Sequence, residues 1–178
     1  MALLLSCQKQ EPRKTAPDLP VTEHAGPPVT HQPPDYHGLI REYRTLLAED
    51  PGNLAALIGL GNTYYDIGQW QSAATIYQHA LARDPRNADV HTDRGTALRN
   101  LGMPDQAIAE YQRALTLDSS HLDARYNLGI VYAYDKKDAN AAIRTWEELL
   151  RLSPNYRNAE YVRRKITALH QKLHTGAR

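Results

Sequence analysis

His170 and His174 stand four residues apart, the spacing by which two imidazoles on one helix face hold a zinc ion. The intervening Gln171-Lys172-Leu173 lacks the glutamate that acts as general base in a metalloprotease helix, and no third ligand lies at a compatible spacing. They read as two solvent-side histidines. Glu147-Glu148 and the pair Asp89 and Asp93 are the residue types that share acid–base work, yet each reads as part of a solvated face or a groove wall. A Gly-rich phosphate loop, a Gly-x-Ser-x-Gly elbow and a Cys-x-x-Cys pair are all missing. The single cysteine, Cys7, has no partner for a framework disulfide. No acid, base, nucleophile and metal converge at one spacing, so neither an enzyme, a cofactor nor a small-molecule substrate is expected. The chemistry that remains is binding, and the question becomes which elements build a binding surface.

The elements announce themselves by period. Gly61, Gly95 and Gly129 are spaced by 34 residues, and Leu57-x-x-Leu60-Gly61-x-x-Tyr64 recurs as His91-x-x-Arg94-Gly95-x-x-Leu98 and Arg125-x-x-Leu128-Gly129-x-x-Tyr132. Ala73, Tyr77, Ala80 and Pro85 return as Ala107, Tyr111, Ala114 and Ser119, and then as Ala142, Trp146, Leu149 and Pro154. The last shift is 35, which places one extra residue in the turn Asp135 to Asn140. Leu57, Leu60 and Tyr64 fall on one helical face. Glycine in a helix interior costs about 1 kcal/mol relative to alanine, so its recurrence points to close approach of a neighbouring helix. Small alanines in the second helices serve the same purpose, with Tyr77, Tyr111 and Trp146 filling the space between layers.

This pattern resembles the tetratricopeptide repeat from about residue 38 to residue 173. The resemblance implies an all-α fold, a right-handed α-solenoid of three helix pairs at 54–87, 88–121 and 122–156. A half-repeat helix at 38–50 caps the N-terminal end and a helix at 157–173 the C-terminal end. In the first cap Leu39, Ile40, Tyr43, Leu46 and Leu47 form the stripe, and in the last Val162, Ile166, Leu169 and Leu173 oppose Arg163, Arg164 and Lys165. Turns fall at Gly68, at Gly102-Met103-Pro104 and at Asp84-Pro85, where proline stops the preceding helix. The second unit places His91 and Arg94 where large apolar residues belong, and looser packing is expected there.

In this family the first helix of each unit lines a concave face. On that basis the groove consists of Ala55, Ile58, Asn62, Tyr65 and Asp66 in the first unit, and Asp89, Thr92, Thr96, Arg99 and Asn100 in the second. The third unit supplies Asp123, Tyr126, Asn127, Ile130 and Tyr134. Tyrosines among Asn, Arg and Asp suit a protein partner. Chaperone-binding members clamp a C-terminal carboxylate with Lys, Asn and Arg, and the matching positions here are Ile58, Asn62, Asp93, Asp123 and Asn127. Only Asn62 agrees, and two aspartates repel a carboxylate, so the implied ligand is an extended or helical segment rather than an acidic chain end.

A formal net charge of +1 gives no pull toward nucleic acid. Residues 8–37 hold seven of the eleven prolines and no apolar periodicity, and read as a linker reaching roughly 90 Å if extended. Ahead of it, Leu5-Ser6-Cys7-Gln8 resembles the lipobox of bacterial lipoproteins, which makes residues 1–7 the remnant of a signal peptide and Cys7 a lipidation site. Only six residues without positive charge precede Cys7, so such a signal needs an upstream extension. The implied location is a lipid anchor in the cell envelope facing the periplasm, at the outer membrane by the Gln8 sorting pattern. The alternative is an incidental thiol on a cytoplasmic adaptor with an unstructured tail.

Overall fold

The computed structural model describes residues 34–176. Among them the elements are α1 (Tyr36–Glu49), α2 (Leu54–Asp66), α3 (Trp70–Arg83), α4 (Ala88–Asn100), α5 (Pro104–Leu117), α6 (Leu122–Ile130) continued by a π-turn (Val131–Asp135), α7 (Ala139–Leu152) and α8 (Ala159–Gly176). These form the right-handed α-solenoid of antiparallel helix pairs that the repeat implies. Residues 1–33, with Cys7 and most of the tether, lie outside the described residues, while Tyr36 and His37, expected at the end of the tether, instead open α1.

Each first helix opens on a capping side chain in register. Asn53, Asn87 and His121, again 34 apart, accept hydrogen bonds from the N–H groups of Ala56, Val90 and Ala124 at 3.0, 3.1 and 3.2 Å. The same spacing governs the joints between units. Asp50, Asp84 and Asp118 close the preceding helices, and their carboxylates accept from the backbone N–H of Gly52, Arg86 and Ser120 at 2.8, 3.1 and 2.8 Å. This local turn is what an Asp side chain offers. It also explains why Ser119 can replace the proline of the other joints: the aspartate, not the proline, is common to all three.

The helical glycines mark where rings lie. A Cβ on Gly61 would sit 2.6 Å from Cε1 of Tyr77, and one on Gly95 2.8 Å from Cε1 of Tyr111. Gly129 faces the indole of Trp146 still more closely. Tyr43 of α1, 34 residues before Tyr77, stacks over Gly59 instead, so α1 plays the second helix of an absent unit. Tyr77, Tyr111 and Trp146 are essentially inaccessible, and the core runs from Ile40 to Val131, then through Trp146 and Leu149 to Val162. Tyr132 packs against both parts.

Two expectations are corrected. The extra residue of the third unit lies in the first helix, not in the turn. The left-handed turn residue follows the helical glycine by seven positions at Gly68 and Gly102 but by eight at Lys137. The π-turn absorbs the difference, with the Lys136 N–H donating to the Val131 carbonyl at 2.9 Å, five residues back. Nor is the second unit loosely packed. Val90, Ala97, Leu98, Ala107, Tyr111 and Ala114 are all buried. Glu110 of α5 reaches His91 Nδ1 at 2.7 Å and pairs with the Arg94 guanidinium, so polar contacts occupy the space that Leu57 and Leu60 fill in the first unit. Arg94 Nε is left without a partner.

Candidate functional site

The first helices present their remaining faces to one side, and the side chains there are held by contacts that cross between units. The Asn100 amide donates to the Tyr65 hydroxyl at 3.1 Å. Asn127 reaches Thr96 at 3.4 Å, and His121 Nε2 donates to Asp89 at 2.9 Å. His121 Nδ1 already accepts from the Ala124 N–H, which leaves the proton on Nε2. Asp123 accepts from the Tyr156 hydroxyl at 2.5 Å and from Arg157 at 2.8 Å. Asp89 and Asp123 sit in the first turns of α4 and α6, where a carboxylate also suits the helix dipole. Each therefore ties its own helix to the start of the next unit.

Among these contacts lies an open-sided cavity of about 250 Å³. Of the groove residues named from the sequence, the fold brings Tyr65, Asp89, Thr92, Thr96, Asp123 and Asn127 to its wall. Asp93, read from the sequence as a groove-wall charge, lies there too, and Tyr77, His121 and Arg157 join them although no sequence argument put those three on the surface. The cap register Asn53, Asn87, His121 was the available signal for His121. Arg157 lies past the third unit and carried none.

Asp93 is the exception among the cavity's carboxylates. Among the described residues it accepts no hydrogen bond, and burial, with the Asp89 and Asp123 carboxylates nearby, pushes its pKa up to about 6 against the opposing effect of His121. Above that value a poorly solvated negative charge faces the cavity. Burial first, then Asp93 and Asp66, also raises the Tyr77 hydroxyl well above the ordinary phenol range.

The other named residues have different surroundings. Ile58 and Ile130 pack against the core, and Asn62 accepts from the buried Tyr77 hydroxyl at 2.7 Å. Arg99 pairs with Asp135 across to the third unit, while Asp66 is exposed. Tyr126 packs on Tyr156, ring centres 5.6 Å apart. The Tyr134 hydroxyl meets that of Tyr161 at 2.7 Å, with Lys165 Nζ 5.5 Å above the Tyr134 ring.

His170 and His174 gather no ligands. His170 lies 3.8 Å from Glu147, and among the described residues no group of three or more His, Cys, Asp or Glu is placed to hold a metal. Among those residues no helix is long and apolar enough to cross a membrane.

Comparison with known proteins agrees with this architecture. Family profiles described as tetratricopeptide repeat match residues 40–94 and 123–156, and one described as TPR repeat matches residues 97–133. No curated protein matches the chain by sequence. Among solved structures, a MamA protein is 29% identical, with a TM-score of 0.71 over 77% of this chain and 73% of its own. The first repeat domain of Spaghetti (RPAP3), bound to the HSP90 peptide SRMEEVD, is 24% identical with a TM-score of 0.62 over 68% of this chain and 93% of its own, a likeness of fold. A Thermobaculum terrenum O-GlcNAc transferase is 27% identical with a TM-score of 0.61, over 66% of this chain and only 23% of the transferase. The 34-residue register, the glycine-on-aromatic packing and the three profile matches across residues 40–156 together make this chain a member of the tetratricopeptide repeat family.

Proposed function

We propose that the chain is a non-enzymatic adaptor that binds an extended or helical segment of a protein partner along its concave groove, with a Lys or Arg side chain of that segment seated at Asp93. The observation that carries this is the cavity beside a carboxylate without a hydrogen bond. A cation placed there gives Asp93 the partner it lacks, and a charge-assisted contact in a partly desolvated site is worth more than one in water. Asp89 adds to the same field, Asp123 being paired with Arg157 on the cavity wall, while Tyr65, Thr96 and Asn127 offer hydrogen-bonding tips for a peptide backbone. The RPAP3 domain holds a peptide ending in Glu-Glu-Val-Asp. This groove has the opposite polarity.

The test is a peptide array read with the purified chain and with Asp93→Lys. Retention of Lys- and Arg-bearing peptides by the wild type, lost on charge reversal, is the expected result. Equal retention of Glu-bearing peptides by both proteins would sink the reading.

The sequence around Cys7 supports a further part of the proposal, that the solenoid is tethered to a cell-envelope membrane by acylation of that thiol. Each buried CH₂ of an acyl chain contributes about 0.8 kcal/mol, and more than one chain is needed for stable attachment, as a multiply acylated cysteine supplies. Expression from an upstream start, followed by fractionation and mass spectrometry of Cys7, tests it. Recovery of wholly soluble protein with an unmodified thiol would favour the cytoplasmic adaptor.

A further inference from the structure

The third unit departs from its two sisters at one place. Its first helix carries the π-turn Val131–Asp135, and its left-handed turn residue is Lys137 at φ 56°, where the sister turns use Gly68 and Gly102 at φ 75° and 74°. A side chain in that region of backbone space bears a steric cost that glycine avoids. A Cβ on either sister glycine would meet nothing within 4 Å, so the local cost of a side chain there is one of backbone conformation and not of crowding. A residue held against its preference is a reason to ask what its side chain does.

Lys137 stands on the rim of a notch. α8 runs for 18 residues where α2 and α4 have 13. Between its C-terminal part and the π-turn lies a cavity of about 590 Å³, floored by Ala133, Ala139, Leu169 and Leu173 and edged by Lys137 and Lys172. A recess of about 180 Å³ shares part of that wall and continues over Trp146 to Lys165. Tyr134 borders both, and Tyr134 and Leu173 are two of the most exposed large apolar side chains described, at 43% and 37%. Among the described residues no carboxylate lines either space. Lys165 Nζ lies 5.5 and 5.3 Å from the ring centres of Tyr134 and Tyr161, and these rings hold its charge at the edge of the notch.

We propose that this notch is a second docking surface, which takes an amphipathic helix of a partner protein with Leu- or Phe-type anchors flanked by Asp and Glu. The apolar floor demands an apolar anchor, and three lysines with no lining acid demand acidic flanks. The concave cavity beside Asp93 has the opposite sign, so one ligand does not serve both surfaces. Lys137 at the strained turn is part of that rim, since glycine there would relieve the backbone but remove a rim charge. The proposal stands whether or not the concave groove binds as described above.

The experiment pans a phage-displayed random peptide library on the full chain and measures the winning peptides against variants. Expected are winners that carry Asp or Glu beside paired apolar residues. Their binding should fall by about tenfold or more in Leu173→Asp and in Lys165→Glu with Lys172→Glu, and should be unchanged in Asp93→Asn. Lys137→Gly, which restores the sister residue and so folds, should raise the thermal midpoint while weakening the same peptides several-fold. Winners that ignore the notch variants, winners without acidic residues, or a Lys137→Gly protein that binds as the wild type overturns the proposal. So does lysine-dependent sedimentation with phosphatidylglycerol vesicles in the absence of any notch-dependent peptide, which would assign the surface to a membrane.

Discussion

The hydroxyl of Tyr77 donates to the side chain of Asn62 at 2.7 Å, and one unit later Tyr111 donates to Thr96 at 3.1 Å in the same geometry. The corresponding pair in the third unit is Trp146 and Ile130, and the indole N–H goes to the Tyr126 carbonyl at 3.1 Å instead. The residue on the groove side thus follows the aromatic beneath it. Where the ring carries a hydroxyl, a polar side chain accepts it, and where it does not, an apolar side chain suffices. Asn62 and Thr96 face the groove and hold up the core at once.

Thr96→Val should therefore destabilise the domain by about 1–3 kcal/mol, because it leaves a buried hydroxyl unpaired. The double variant with Tyr111→Phe should recover most of that loss. A double-mutant cycle by urea denaturation measures the coupling, and a coupling near zero would separate the two residues energetically.

Substitution of the helical glycines should rank by the room above them. Gly95→Leu overpacks against Tyr111 and should cost about 1–3 kcal/mol or more. Gly129→Ala should exceed Gly95→Ala, since the Trp146 indole approaches Gly129 more closely than Tyr111 approaches Gly95. Thermal midpoints of the two alanine variants give the order directly.

Asp93 makes stability depend on pH in an unusual direction. Its folded pKa of about 6 lies above the ordinary aspartate value of 3.8, so the folded state binds its proton more tightly than the unfolded state. The associated stabilisation is complete below about pH 4 and is lost as pH rises through 6. At 1.36 kcal/mol per unit, Asp93→Asn should be more stable than the wild type at pH 7 by up to about 3 kcal/mol, with the gap closing in acid. Denaturation midpoints of the two proteins at pH 4 and pH 7 decide it.

The same ionisation should govern capture of a cationic segment. Affinity for a Lys-bearing groove peptide should rise between pH 5 and pH 7 as Asp93 loses its proton, and Asp93→Asn should flatten the profile. Calorimetric titration at several pH values provides the readout.

Glu110 joins His91 and Arg94 in the second unit with side chains only 11–21% exposed. Glu110→Ala should cost about 2–3 kcal/mol, less than the 3–5 kcal/mol of a fully buried pair because water still reaches part of the network. Replacement of all three by leucine should be neutral or stabilising. A loss as large in the triple variant as in the single one would refute that account.

The sequence by itself determined the fold. A period of 34 in glycine, alanine and aromatic positions survives in one dimension because each unit solves the same packing problem with the same residues. The groove was legible in part, since the resemblance to the repeat family places the first helices on the concave face and the core stripe leaves Tyr65, Asp89, Thr96 and Asn127 over on them. The rest depended on contacts between units, which no period records. Only the tertiary structure buried Asp93 in a cavity with Asp89 and Asp123, because Asp123 lies 30 residues away in the next unit and the burial that chiefly raises the Asp93 pKa comes from packing between units. It alone moved the extra residue of the third unit from a turn into a π-turn, since both placements give the same spacing of 35. It alone showed that Glu110 answers His91 and Arg94, for a side chain one helix away satisfies a polar core position without leaving any mark on the repeat.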